Sequence, residues 1–126
     1  LPRKAVLVLS GRVASIKPSK IPRISIAVIK GDNFNITMDV YDELRTFDAG
    51  DKVTITVSKN MPEYEEGRDF CAKGFLMARK KAGEDKSKLL ISLWGLLVSM
   101  EIPRNMDSFS IMDELYYCVR TAGSSE

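Results

Sequence analysis

Two runs in this chain alternate apolar and polar residues without a fault: Phe34-Asn35-Ile36-Thr37-Met38-Asp39-Val40 and Val53-Thr54-Ile55-Thr56-Val57-Ser58. A period of two places one side of each segment in a core and the other in water, which is the pattern of half-buried strands. The same period recurs less cleanly from Arg23 to Lys30, with Ile24, Ile26 and Val28 sharing one side. Gly31-Asp32-Asn33 follows with turn chemistry, so the segments around it read as a hairpin.

Three longer strand candidates each hold a glycine near the middle. Lys4 to Lys17 contains Gly11, Asp69 to Arg79 contains Gly74, and Leu89 to Ile102 contains Gly95. Glycine inside a strand commonly marks a bulge or a sharp bend. In the third run Leu89, Ile91 and Leu93 share one parity, and Leu96, Val98, Met100 and Ile102 share the other. A single-residue bulge at Gly95 makes parity switch in this way. A helix is the competing reading, disfavoured by Ser92, Gly95, Val98 and Ser99. Pro103 ends the run, and Leu115 to Arg120 reads as the last strand.

The connections are short. Pro18 and Pro22 bound a loop, Asp42 to Arg45 suits one helical turn, and Tyr41 and Phe47 are placed to cover a barrel end. Asp48-Ala49-Gly50-Asp51 is a turn, Asn60 to Arg68 a polar loop, and Lys80 to Lys88 a charged one. About seven to eight strands with bending glycines suit an all-β, closed antiparallel barrel of the OB-like kind, since closure removes exposed edges. With 126 residues the chain is one domain, 1–126, with a tail expected at 121–126. Leu89 to Ile102 is too short and too interrupted to span a membrane as a helix.

The chain contains no histidine and two widely separated cysteines, Cys71 and Cys118. That set cannot supply the paired ligands of a standard zinc site. The cysteines are expected as buried thiols in a reducing cytoplasm, with a disulfide as the open alternative. Without histidine the usual general base near neutral pH is missing. No phosphate-binding glycine loop or nucleophile elbow appears, and the acids sit mostly in turns. A paired-carboxylate hydrolase is the one enzyme class left open; no catalytic residue, metal or cofactor is expected.

The net charge of +2 is unevenly spread. Arg3, Lys4, Arg12, Lys17, Lys20, Arg23 and Lys30 precede the first acid, and Asp32 to Asp51 holds six acids against Arg45. Two readings follow. Facing strands pair their opposite charges, or a basic surface, represented by Arg12, Lys17, Lys20 and Arg23, faces a polyanion such as nucleic acid. Phe34 and Phe70 read as core, whereas Phe75, Trp94, Tyr116 and Tyr117 are candidates for exposure. A third class of function is an assembly subunit, with Trp94 and Leu97 as interface anchors.

Three segments then resemble one known family, the eighth subunit of multisubunit RNA polymerase. Ala49-Gly50-Asp51-Lys52-Val53 is similar to its Gly-Asp-Lys-aromatic strand start. Phe70-Cys71-Ala72-Lys73-Gly74-Phe75-Leu76-Met77-Ala78-Arg79 resembles its glycine-centred strand. Ile91-Ser92-Leu93-Trp94-Gly95-Leu96-Leu97-Val98 resembles its Ser-aromatic-Gly-Gly-Leu-Leu-Met stretch, with Trp94 standing where that family has the first of two glycines. The length and the compact Asn60 to Arg68 loop are similar to the archaeal form of the family. The resemblance implies an eight-stranded barrel at the periphery of the polymerase, docked on the largest subunit. It further implies a non-catalytic role in assembly and stability, with some affinity for single-stranded DNA. It assigns the partner surface to Leu93, Trp94, Gly95, Leu96 and Leu97. A free-standing nucleic-acid-binding protein is the rival expectation.

Overall fold

A computed structural model describes residues 6–65 and 68–121. Eight strands occur in chain order: β1 Val6–Pro18, β2 Ile24–Lys30, β3 Asn35–Tyr41, β4 Lys52–Ser58, β5 Phe70–Lys81, β6 Lys86–Leu93, β7 Leu96–Pro103 and β8 Glu114–Thr121. They close into one antiparallel barrel in the order β1-β2-β3-β7-β6-β5-β8-β4. Two short 3-10 turns, Asp42–Leu44 and Arg104–Met106, are the helical elements among the described residues, one more than expected. No helix among them is long and apolar enough to cross a membrane.

β1 is long because it serves two neighbours. Val6 to Arg12 pair with β4, and Arg12 to Pro18 pair with β2, with a register break between Val13 and Ser15. The change of partner falls just after Gly11, where the sequence marks a bend. Alternation then fills the interior: Leu7, Leu9, Ile36, Met38, Val40, Val53, Ile55, Val57, Leu115 and Val119 are all buried. Phe47 plugs one end, as expected, while Tyr41 remains exposed.

The run from Leu89 to Ile102 is where the structure departs most from the sequence reading. It is two strands and not one bulged strand. β6 and β7 form a hairpin whose two-residue turn is Trp94-Gly95, with Leu93 directly across from Leu96. Both turn residues have positive φ, 55° at Trp94 and 97° at Gly95, as a type I′ hairpin turn requires. A two-residue turn brings positions 93 and 96 face to face, so both enter the core, and parity switches as it does across a bulge. The Lys80 to Lys88 loop is also shorter than expected. β5 and β6 pair through Lys81↔Ser87, leaving only residues 82–85 as the turn.

Three smaller expectations are also overturned. The inward side of β2 is Ser25, Ala27 and Ile29, and the more apolar Ile24, Ile26 and Val28 point outward. Ala27 lies opposite Met38, and Met38 is in turn met by the hydroxyl of Tyr117 at 3.1 Å. With two long side chains filling the centre, a small residue is what fits across from them. Tyr117 is therefore fully buried and not a surface aromatic. Finally, Cys71 and Cys118 are joined as a disulfide and are not free thiols. They are 47 residues apart in sequence but directly opposite on β5 and β8. The Asp69 to Arg79 strand is present, and its glycine has a packing reason. A Cβ on Gly74 would lie 1.9 Å from the Ser92 carbonyl oxygen on β6.

The expected tail begins after Thr121, which ends β8, so residues 122–126 lie outside the described residues.

Candidate protein interface

The five residues assigned to a partner surface divide by parity. Leu93 and Leu96 point inward and are buried, so they support the hairpin from below. Trp94, Gly95 and Leu97 are on the outside. Trp94 is 87% exposed, the most open large apolar side chain among the described residues. Its position at the tip of a tight turn explains this, because a residue in the left-handed conformation at a hairpin apex is lifted off both strands. Leu97 is 40% exposed, and its amide is fixed by the Asp39 carboxylate on β3 at 3.1 Å.

Other apolar groups extend this surface. Phe75 lies across from Ser92 on the outer side and is half-buried. Met112, in the loop before β8, is exposed beside Trp94, and Met77 is exposed farther along β5. Lys73, Phe75, Trp94, Met112 and Glu114 line a cleft of about 400 Å³ beside the hairpin. An indole beside a thioether and a cleft has the make-up of an interface anchor region. The apolar pattern of the sequence gives no sign of this grouping; only the fold brings Met112 to the cleft beside Trp94.

The loop before β8 is held in place by charge. Arg79 makes a bidentate pair with Asp107, at 2.6 and 3.1 Å, and donates to the Phe109 carbonyl. Those contacts hold its guanidinium pKa above the ordinary value, the Asp107 hydrogen bond contributing most. Asp113 accepts from the Ser110 amide at 2.7 Å and faces Lys59 at 3.2 Å. The Ser110 hydrogen bond, then Lys59 and Arg79, depress its pKa. Burial pushes the Tyr117 phenol far up, so it stays protonated and donates to Met38.

The four basic candidates do not form one patch. Arg12, Lys17, Lys20 and Arg23 all reach solvent, but Arg12 is aligned with Lys30 whereas Lys17 is aligned with Ile26. Four strand residues separate those rows, about 13 Å. Lys20 and Arg23 belong to the loop beyond Lys17. Arg12 instead lies beside Lys30, from the same basic stretch, and beside Lys52, which sequence reasoning did not group with it. Lys30, Arg12 and Lys52 lie side by side across β2, β1 and β4. Among the described residues none of Arg12, Lys17, Lys20, Arg23 or Lys30 makes an ion pair, so facing strands do not neutralise this charge. No group of three or more potential metal ligands occurs among the described residues.

The family model for the RpbG subunit of DNA-directed RNA polymerase matches residues 6–122, nearly the whole chain. The chain belongs to that family. The Rpo8 subunit of DNA-directed RNA polymerase from Saccharolobus solfataricus is 32% identical over 124 residues, covering 90% of this chain and 92% of that protein. The Rpo8 subunit of Sulfolobus acidocaldarius is 32% identical over 113 residues, 86% of this chain and 93% of its own length. A eukaryotic relative, subunit RPABC3 of DNA-directed RNA polymerases I, II and III from Schizosaccharomyces pombe, is 27% identical over 112 residues. It covers 86% of this chain and 90% of its own length. For this RpbG family member the eight-stranded barrel is therefore the whole matched unit.

Proposed function

We propose that this chain is a non-catalytic, peripheral subunit of an archaeal-type DNA-directed RNA polymerase. In this reading it docks on the largest subunit and contributes to assembly and stability. The observation that carries it is Trp94, held almost fully exposed at the hairpin tip beside Leu97, in a chain whose relatives are named polymerase subunits. A bulky apolar ring costs free energy in water unless something covers it. The backbone there is also one that a ring-bearing residue adopts only at a cost of about 1–2 kcal/mol. Both costs are offset when a partner buries the ring. The absence of histidine removes the commonest general base, in keeping with chemistry done by other subunits.

The experiment is affinity purification of the tagged full chain from native extract. Large polymerase subunits are expected in the eluate, and Leu97→Asp should deplete them while leaving the melting temperature of the isolated barrel within a few degrees. Recovery of the chain without polymerase, or normal recovery by Leu97→Asp, contradicts the reading.

A second reading, contact with nucleic acid, is supported by one feature: the row of Lys30, Arg12 and Lys52. Like charges directly opposite on neighbouring strands destabilise a sheet, and a phosphate backbone would relieve them. Affinity of the isolated protein for single strands that falls steeply with salt favours this reading.

A further inference from the structure

The β6–β7 hairpin stops short of its neighbours. β5 begins at Phe70, but its pairing with β6 begins only at Phe75↔Ser92. On the other side β3 runs to Tyr41, while its pairing with β7 covers Asn35 to Met38. The hairpin tip therefore stands in a notch in the barrel wall. The notch is a cleft of about 550 Å³ lined by Tyr41, Leu44, Arg45, Cys71 and Trp94 among others.

The backbone of β5 presents a free edge to this cleft. The Leu76 amide donates to the Asp113 carbonyl at 3.0 Å, and the Leu76 carbonyl accepts from Met112 at 2.8 Å, so Leu76 faces β8. In an antiparallel ladder hydrogen-bonding direction alternates along the strand. Gly74 and Ala72 then face β8 as well, and Lys73 and Cys71 face the other way. The Cα–Cα distance of 4.0 Å between Cys71 and Cys118 agrees, because the close spacing belongs to pairs that do not hydrogen-bond to each other. Where Lys73 and Cys71 point, β6 has ended, and its ladder with β5 does not reach them, the first pair being Phe75↔Ser92.

A second, independent observation concerns side chains. Three buried polar atoms lack a hydrogen-bond partner among the described residues: Arg45 Nε, Thr46 Oγ1 and Asp69 Oδ1. All three residues line this notch. The Asp69 side chain is 2% exposed, and its Oδ2 already accepts from Arg120 and from the Glu65 amide. Native structures rarely leave such groups unsatisfied, and three together point to a polar occupant. The charges of Glu43 and Asp69 against Arg45 do not suit a polyanion.

We infer that the notch receives an extended polypeptide segment of a neighbouring polymerase subunit, which adds as a strand to the β5 edge at Cys71–Lys73 beside Trp94. Main-chain hydrogen bonds to Lys73 and Cys71 fix the segment's direction, as in other strand additions. Its apolar side chains cover Trp94, Tyr41 and Leu44, and its polar groups meet Arg45, Thr46 and Asp69. This rests on the polymerase-subunit reading and adds the conformation and site of the contact.

Amide hydrogen exchange on the full chain, alone and within purified polymerase, tests it. The Cys71 and Lys73 amides should exchange rapidly in the free chain and slow by at least about a hundredfold in the assembly. Lys73→Pro, which deletes one edge donor, should lower incorporation by about tenfold, the cost of one lost and one orphaned hydrogen bond. Lys73→Ala, which keeps the donor, should lower incorporation clearly less than Lys73→Pro does. If the chain is incorporated but these amides stay fast, the strand addition is wrong and the subunit reading survives. If no incorporation is seen, both fail. If the amides are protected in the isolated chain as it dimerises, the occupant is a second copy and the inference is overturned. Should Lys73→Pro fail to fold, exchange in the unmodified chain decides.

Discussion

Replacing Trp94 by asparagine separates the stability of the barrel from its docking. Trp94 occupies the left-handed region at φ 55° and is followed by Gly95 at φ 97°. A residue with an ordinary side chain pays about 1–2 kcal/mol there, whereas asparagine tolerates it, and Asn-Gly is the preferred type I′ pair. The ring is 87% exposed, so almost no buried area is forfeited. Trp94→Asn should therefore stabilise the isolated chain by about 0.5–1 kcal/mol, net of the small packing loss. For a chain of this size that raises the melting temperature by about 2–4 °C. Incorporation into polymerase should move the other way. Truncating an interface anchor costs about 2 kcal/mol or more, a loss of roughly 30-fold in affinity. Calorimetry on the isolated protein and competition with the tagged parent for polymerase read the two effects separately. A destabilisation beyond about 1 kcal/mol refutes the claim that the ring is unsupported by its own barrel. Stabilisation with undiminished incorporation refutes the hairpin tip as a docking surface.

Three further outcomes are expected. Gly74→Ala forces a methyl group into the Ser92 carbonyl, so β5 and β6 must separate; the urea midpoint should fall by the equivalent of about 3 kcal/mol or more. Reducing the Cys71–Cys118 bridge opens a loop closed over 47 residues, and chain entropy sets the loss at up to about 4 kcal/mol, measured by melts with and without reductant. Asp113 has its pKa depressed below the ordinary aspartate value in the folded state. Its contribution is thus present above that ordinary value and lost as pH falls through the folded pKa. Acid titration of stability should show a shallower fall for Asp113→Asn than for the parent, and identical slopes contradict the assignment.

The strands were legible because period two needs only the order of the residues. Phe34 to Val40 and Val53 to Ser58 fall where alternation puts them, with Phe34 beneath the turn and in the core. β2 shows where this fails. Ile24, Ile26 and Val28 make the stronger apolar stripe, yet the inward side is Ser25, Ala27 and Ile29. Parity says that two faces differ; the bulk of Met38 and Tyr117 opposite decides which is turned in. The cysteines are a similar case. Separation in sequence carried no sign of pairing, and only the β5–β8 register brings Cys71 across from Cys118.

The candidate site was found by the sequence and given its shape by the fold. Leu93 to Leu97 stood out from apolar pattern and family likeness, but five consecutive residues cannot all face a partner. The turn at Trp94-Gly95 splits them, sending Leu93 and Leu96 into the core and leaving Trp94 and Leu97 outside. By itself the sequence determined a barrel of alternating strands, no histidine for acid–base chemistry, and an unusual tryptophan beside a glycine. Tertiary structure decided that this dipeptide ends a hairpin and does not bulge a strand. It also opened the notch beside it and aligned Lys30, Arg12 and Lys52. A bulge and a two-residue turn shift side-chain parity alike, so periodicity cannot separate them; what separates them is which strands find hydrogen-bond partners when the barrel closes.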